Sequence, residues 1–345
     1  MGRAGRWALA GLAAVGGAAV GYAAERRVLR ERLDVPEPAG PPLGTVAGEV
    51  SELEGPDGVR ITVECYGPPG APTLVFSHGW VCSGRVWHEQ VVALSDRYRI
   101  VTYDQPGHAR SSMPRSRQYS LDLFGDTLAA VVREHGGPGP VVLCGHSLGG
   151  MTVLNLARRH GGLLRERVGA ALLLSTTSRA AVDDLTFGFG IHSVARVEKA
   201  IRKAVAFGRP EATYLADRFY RASTDLSFLL TRTFGLARDA EPRHVDFTEQ
   251  LLLDSDFQMI MGTLAPVLTL DEDAALEALD VPTVVVVGGA DKLTPSALSA
   301  RMAERLPDGS LLTLPGIGHM SQLEAAPTVN ALLVELAARA AADAA

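Results

Sequence analysis

Cysteine is scarce in this sequence, and its three cysteines lie far apart. Cys65, Cys82 and Cys144 form no CxxC pair, which argues against a disulfide framework and against a structural zinc site. The nine histidines include no HExxH or other metal-binding spacing. Basic residues are not in excess, because 33 Lys and Arg face 39 Asp and Glu. A nucleic-acid footprint is therefore missing, and we expect no metal, no cofactor and no nucleic-acid partner.

Charge is also missing from a stretch near the N-terminus. Trp7–Ala24 is an uncharged run of Ala, Gly, Val and Leu with arginines on both sides, long enough to predict a membrane anchor at residues 7–24. A cleaved signal peptide, with a site near Gly21–Ala23, and a disordered or packed arm remain alternatives. Arginines after the run favour retention on the cytoplasmic side over secretion. Pro36–Gly44 then predicts a stiff linker, so that residues 1–44 precede a folded domain at 45–345.

The rest of the chain alternates between short apolar runs and helical patterns. With 345 residues, of which 47% are apolar, it can form one large α/β domain with an insertion or two ordinary domains. The apolar runs are continuous, which is typical of strands covered on both faces, and this alternation predicts a doubly wound, mostly parallel sheet. The predicted strands are Val59–Tyr66, Thr73–Ser77, Tyr98–Tyr103, Val141–Cys144, Ala170–Leu174, Thr283–Val287 and Ser310–Leu314. The predicted helices between them are Leu121–Glu134, Met151–His160, Pro295–Arg305 and Pro327–Ala341.

One interval, from Ser175 to about Gly262, interrupts this alternation. It contains no strand pattern and is rich in aromatic residues. Most of these aromatics are expected to form the core of a helical insertion, and a few are candidates for the wall of an apolar pocket facing the sheet. The predicted helices here are Val194–Ala206, Ala212–Ala222, Leu226–Leu236 and Val245–Met261.

The motif that carries chemistry is Gly145–Gly149, a G-x-S-x-G sequence between a predicted strand and a predicted helix. A sharp strand-to-helix turn exposes Ser147 at the end of the strand, as a nucleophile requires. Close backbone approach at such a turn leaves room only for glycine at positions 145 and 149. The free N–H groups at the start of the next helix point toward developing negative charge.

A nucleophilic serine needs a base, and the base needs an orienting carboxylate. Asp291 follows the strand Thr283–Val287, and His319 follows the last strand. Both loops should emerge from the same sheet edge as Ser147. Helix capping is the competing explanation for Asp291, but Thr294 and Pro295 already form a good N-cap and first helical position. The sequence therefore predicts Ser147, His319 and Asp291 as nucleophile, base and orienting acid.

An oxyanion site needs two hydrogen-bond donors. The amide of Leu148 is one, and the amide of Trp80 is the other, because Gly79 lets the backbone turn toward the site. Trp80 and His78 are the candidate substrate contacts, Trp80 as an apolar wall. His78 and His146 are also expected to hydrogen-bond the neighbouring loops.

Four sets of motifs occur in this order along the chain: HGW at His78–Trp80, DQPGHARS at Asp104–Ser111, GHSLGG at Gly145–Gly150, and the GGAD and GIGHM loops around Asp291 and His319. With these motifs the chain resembles, from Val59 to Ala341, the α/β-hydrolase fold superfamily in its capped esterase, lipase and peroxidase-like branch. The resemblance implies a helical cap at about 176–262, inserted after the sixth sheet strand, and the same roles for the residues named above. Ala109, in the second motif, stands where the family usually has glycine. A serine as the nucleophile at position 147 argues against the dehalogenase and epoxide hydrolase branches, and HGW differs from the HGxP found there.

These residues predict a serine hydrolase that cleaves a small to medium apolar carboxylic ester through an acyl-enzyme. An acyltransferase, a perhydrolase or a C–C bond hydrolase could use the same three side chains, and a non-catalytic binding module is a further alternative. The expected partner is a small-molecule ester. We expect the catalytic domain to be cytoplasmic and held at a membrane by residues 7–24, with secretion after signal cleavage as the alternative. The sequence leaves the oligomeric state open.

Overall fold

A single sheet of eight strands organises the part of the chain that the computed structural model describes, residues 41–180 and 231–343. The spatial order is β1-β2-β4-β3-β5-β6-β7-β8. β1 and β2 are antiparallel to their neighbours, and β3 to β8 run parallel. The strands are β1 Glu49–Glu54, β2 Arg60–Tyr66, β3 Thr73–Ser77, β4 Arg99–Tyr103, β5 Val141–His146, β6 Val168–Leu174, β7 Thr283–Gly288 and β8 Gly309–Leu314.

Helices cover both faces of this sheet, which confirms the doubly wound architecture. Along β5, Leu143 packs into the apolar cluster on one face, while Val142 and Cys144 pack into the cluster on the other. This alternation explains the continuous apolar runs, because each fully buried aliphatic side chain stabilises the fold by roughly 1.5–3 kcal/mol. The helices of the described residues are α1 His88–Leu94, α2 Leu121–His135, α3 Leu148–Arg159, α4 Gly161–Arg167, α5 Pro242–Leu253, α6 Phe257–Leu268, α7 Ala275–Ala278, α8 Ser296–Arg305, α9 Ser321–Glu324 and α10 Ala326–Asp343.

The first strand, β1, is absent from the sequence-based prediction. Its sequence, EVSELE, pairs with β2 at the edge of the sheet and remains partly exposed. Since β1 raises the count before residue 175 to six, Val168–Leu174 is the sixth strand, the one after which the resemblance places the cap.

The predicted helix Val245–Met261 is wrong as a single element. The chain instead forms α5 and α6, because Asp256 accepts hydrogen bonds from the amides of Gln258 and Met259 and so begins a new helix. The described end of the predicted helix Leu226–Leu236 forms a short π-helical turn at Thr231–Gly235.

Membrane-spanning capacity was examined only within the described residues. No single helix there is both long and apolar enough to cross a bilayer. α5 and α6 reach the required length and apolarity only as a pair, and the pair is bent by 98°. The predicted anchor at 7–24 lies outside the described residues, as do residues 181–230 of the predicted cap.

Candidate active site

Ser147 lies between β5 and α3 in a backbone conformation that side-chain-bearing residues rarely adopt. Its φ is 52° and its ψ is −117°, outside the ordinary helix and strand regions. Two hydrogen bonds hold this turn. The Ser147 amide donates to the carbonyl of Leu174 at 3.0 Å, and the Thr176 hydroxyl donates to the Ser147 carbonyl at 2.7 Å. Strain of this kind persists only where surrounding structure enforces it, and it is concentrated at functional sites.

The glycines around Ser147 are required by close backbone contacts, as the motif predicts. A Cβ on Gly145 would lie 2.5 Å from the carbonyl oxygen of Gly149. A Cβ on Gly149 would overlap the carbonyl oxygen of Ser77 at the end of β3. The turn therefore packs directly against the neighbouring strand, and this contact keeps Ser147 at the carboxyl edge of the sheet.

Asp291 and His319 form a buried pair at the same edge, after β7 and β8. The Nδ1 of His319 lies 2.9 Å from Oδ2 of Asp291, and both residues are less than one-tenth exposed. Burial alone would raise the pKa of Asp291, but the His319 charge and the hydrogen bonds from His319 and Thr294 lower it to about 2. The carboxyl group is therefore ionised at neutral pH and fixes a proton on Nδ1 of the imidazole.

The expectation that Thr294 caps the next helix is wrong. Helix α8 begins at Ser296, and the Thr294 hydroxyl donates instead to Oδ2 of Asp291 at 2.7 Å. Asp291 also accepts hydrogen bonds from the amides of Leu293 and Thr294. Asp291 thus shapes its own loop and at the same time contacts His319.

The serine turn and the histidine loop are joined through His146. The Nε2–H of His146 donates to the carbonyl of His319 at 3.0 Å, and the centroids of the two imidazole rings lie 4.9 Å apart. Burial, and then the charge of His319, lower the pKa of His146 to about 3. Among the hydrogen bonds of the described residues, none joins the Ser147 hydroxyl to His319, whose Nδ1 faces Asp291 and Thr294.

The loop after β3 lies directly beside Ser147. A Cβ on Gly79 would be 3.3 Å from Cβ of Ser147 and 2.7 Å from Nδ1 of His146. Leu148 is the first residue of α3, so its amide has no acceptor within the helix. The indole N–H of Trp80 donates to the hydroxyl of Thr263 at 2.6 Å, which ties this loop to α6. Both predicted oxyanion donors, the amides of Trp80 and Leu148, belong to segments that flank the serine.

His78 lies inside the loop rather than at its surface. Its Nδ1–H donates to the carbonyl of Gly79 at 2.8 Å, and its Nε2 accepts the amide of Gln105 at 2.9 Å. The ring is fully buried, and burial lowers its pKa to about 4. Both ring nitrogens of His78 are therefore hydrogen-bonded to groups of the protein itself. The expected contact between His78 and substrate stays a prediction.

Ala109, which replaces the family's usual glycine, adopts a left-handed backbone with a φ of 42°. The Asp104 carboxylate accepts hydrogen bonds from the amide of Gly84 and the guanidinium of Arg110, and Ser111 donates to the Asp104 carbonyl. These bonds hold the turn, so alanine takes the conformation that glycine would adopt at less cost.

Three positions near the site were not identified from the sequence: Thr176, Thr263 and Glu324. Each acts through a hydrogen bond to a backbone group or to an indole, and no spacing in the sequence signals such a bond. Within the described ranges, no group of three or more His, Cys, Asp or Glu is arranged to hold a metal ion.

Comparisons with known proteins agree with this arrangement. A family model described as alpha/beta hydrolase fold matches residues 72–326. The chain is 30% identical over 289 residues to a non-heme haloperoxidase of Rhodococcus erythropolis, across 81% of this chain and 96% of that protein. It is 28% identical over 276 residues to a bifunctional esterase/perhydrolase of Acinetobacter calcoaceticus, across 79% and 94%. A thermophilic esterase from Thermogutta terrifontis superposes with a TM-score of 0.66 at 20% identity, across 85% and 99%.

Proposed function

The chain belongs to the alpha/beta hydrolase fold family, and we propose that it is a serine hydrolase that cleaves small to medium apolar carboxylic esters. The observation that carries the proposal is the strained turn that presents Ser147 at the sheet edge where Asp291 and His319 are paired. Similarity to an esterase/perhydrolase supports a hydrolase activity and adds weight to an ester as the substrate.

In the proposed reaction, His319 accepts the hydroxyl proton of Ser147 while the serine oxygen attacks the carbonyl carbon. Asp291 holds the imidazole through Nδ1 and stabilises the positive charge that develops on it. The oxygen of the tetrahedral intermediate accepts hydrogen bonds from the amides of Trp80 and Leu148. His319 then protonates the leaving alkoxide. A water molecule, deprotonated by His319, attacks the acyl carbon, the bond to the Ser147 oxygen breaks, and His319 returns the proton to that oxygen as the carboxylic acid leaves.

The distance between serine and base matters for this reaction. Hydrogen bonds between nucleophile and base are often long before substrate binds and shorten in the reacting complex. Asp291 holds the ring of His319 and His146 holds its carbonyl, and in this proposal the contact with Ser147 forms once substrate is bound.

An apolar cluster beside the serine supports an apolar substrate. It consists of buried side chains against which Trp80 packs, on the side of the site formed by α2 and α3. The partly exposed Trp80, packed against these buried side chains, would offer apolar contact to the hydrocarbon part of a substrate. The buried members are Leu121, Phe124, Leu148, Met151 and Leu270.

The decisive experiment is the substitution Ser147→Ala in purified protein, assayed with p-nitrophenyl esters of graded acyl length. We expect the wild type to hydrolyse the short esters best and the variant to lose roughly 10⁶-fold in kcat, because no nucleophile remains. Ser310→Ala, at an exposed serine on β8, is the matched control and should keep full activity. Equal activity of Ser147→Ala and wild type would refute the proposal.

Perhydrolysis is a second candidate, favoured by the similarity to a haloperoxidase and to an esterase/perhydrolase. Hydrogen peroxide would take the place of water in attacking the acyl-enzyme and would release a peracid. The test is peracid production from an ester and hydrogen peroxide by the wild type, with Ser147→Ala as the blank. Hydrolysis without peracid would restrict the protein to the first activity.

A further inference from the structure

Glu324, at the end of α9, binds backbone amides from two separate segments of the chain. Its Oε2 accepts the amide of Ala237 at 2.7 Å and the amide of Gly318 at 3.2 Å. Its Oε1 accepts the amide of Met320 at 3.2 Å. Its carboxylate is satisfied by these peptide N–H groups. Burial raises the pKa of Glu324, and the three backbone donors oppose that rise by stabilising the ionised form.

Two of these three amides flank the proposed base. Gly318 and Met320 are the immediate neighbours of His319, so Glu324 holds the peptide groups on both sides of it. The carbonyl of His319 is held separately by His146, and its side chain by Asp291. Glu324, His146 and Asp291 therefore each hold a different part of this loop, which are the neighbouring amides, the His319 carbonyl and the His319 side chain.

The third amide belongs to a described segment inside the predicted cap range of about 176–262. Leu236 and Ala237 are buried and lead through a turn into α5. They also touch the histidine loop directly, because a Cβ on Gly318 would overlap the amide of Ala237 and would lie 2.5 Å from the carbonyl carbon of Leu236. The carboxylate of Glu324 thus bridges the backbone at Ala237 and the backbone at Gly318. These two segments are in direct contact, and no side chain would fit between them at Gly318.

We propose that Glu324 is a positioning residue that fixes the His319 loop against the segment Leu236–Ala237, so that the imidazole keeps the orientation that its pair with Asp291 gives it. This inference rests on the proposed function, because the orientation matters only if His319 acts as the base. A displacement of about 1 Å at a reacting group can lower a rate by roughly a hundredfold. Loss of the bridge should accordingly appear in kcat rather than in substrate binding.

The test is Glu324→Gln, which keeps the size of the side chain but replaces one acceptor oxygen by an NH₂ group facing a peptide N–H. We expect kcat to fall by about tenfold to a hundredfold while KM stays near the wild-type value. We also expect the low-field proton resonance of the Asp291–His319 hydrogen bond to broaden or shift. Glu335→Gln, at an exposed glutamate on α10, is the control and should change neither quantity.

A second variant covers the case in which Glu324→Gln does not fold. Glu324→Asp keeps the charge on a side chain that is one carbon shorter, and we expect a smaller loss of kcat with the same unchanged KM. Wild-type kcat in both folded variants, or an unaltered imidazole resonance, would overturn the inference. If instead the wild type neither hydrolyses esters nor reacts with a serine-directed fluorophosphonate, the proposed function fails, and the resonance alone still tests whether Glu324 positions His319.

Discussion

At the scale of single residues, Asp291 has two roles, of which the sequence predicted one. It accepts hydrogen bonds from the loop amides of Leu293 and Thr294 and also orients His319. We expect Asp291→Asn to lower kcat/KM by roughly 10⁴-fold, the loss typical of this change in serine proteases, because the amide favours the wrong imidazole tautomer. Steady-state kinetics on a p-nitrophenyl ester measures it. Asp280→Asn, at an exposed position, should show wild-type kinetics, and a similar loss in that control would contradict the assignment.

Three fully buried histidines predict a pH dependence of stability. Burial lowers the pKa of His78 to about 4 and that of His108 and His146 to about 3. The unfolded chain takes up protons at these sites below about pH 6.5, while the folded protein does not, so the free energy of unfolding should fall as the pH drops from 6.5 toward 4. Each histidine contributes a slope of up to about 1.4 kcal/mol per pH unit.

Urea unfolding between pH 7 and pH 4.5 measures this dependence. His108→Asn is the informative variant, because its ring packs beside His78 and its Nε2 has no partner within the described residues. The variant should show a shallower pH slope than the wild type, since one titrating site is removed. Identical slopes for the two proteins would contradict the assignment of a neutral, buried imidazole at position 108.

The candidate site residues could be proposed from the sequence because each follows a strand and carries a reactive group. Ser147, Asp291 and His319 lie at the ends of β5, β7 and β8, and the carboxyl ends of parallel strands share one edge. Glu324 and Thr176 could not be found in this way. Their partners are peptide groups, which every residue has, so only the folded chain shows which ones they meet.

At the scale of elements, the sequence predicted seven of the eight strands and missed β1, at one edge of the sheet. β5 is apolar on both faces because helices cover both, and its signal is therefore continuous. β1 lies at the edge, has only two apolar residues among its six and stays partly exposed, so it resembles a surface loop in composition. The break between α5 and α6 was missed because apolar spacing continues across it, while one capping carboxylate at Asp256 begins the second helix.

The packing of the serine turn on β3 gives a prediction at the same scale. Gly149→Ala should lower the free energy of unfolding by about 1–3 kcal/mol, because its Cβ would overlap the carbonyl oxygen of Ser77. Activity should fall as well, since the turn must move. Gly162→Ala, in α4 with no atom within 4 Å of the new Cβ, is the matched control. The control variant should be more stable than the wild type by about 0.4–1 kcal/mol. Urea unfolding midpoints of the two variants measure the difference, and equal midpoints would contradict the prediction.

At the scale of the whole molecule, we propose that residues 1–44 attach a self-sufficient domain at 45–345, with its cap at about 176–262, to a membrane through residues 7–24. A variant without residues 1–40 should keep the kcat and melting temperature of the full chain but should leave the membrane pellet. Val15→Arg in the full chain should have the same effect on pelleting, because a charge at the centre of a spanning helix costs about 2.5–3.5 kcal/mol. A full-length protein that never pellets, and is not cleaved, would rule the anchor out.

Because its backbone conformation depends on the fold, the reactivity of Ser147 should report whether a molecule is folded. The φ of 52° exists only while β5, α3 and the carbonyl of Leu174 hold the turn, and an unfolded chain relaxes to ordinary angles. A fluorophosphonate should therefore tag folded molecules and ignore denatured ones. The amount of fluorophosphonate bound at saturation would give the fraction of folded molecules in a preparation. The same labelling along a urea series would follow the unfolding of the turn at Ser147.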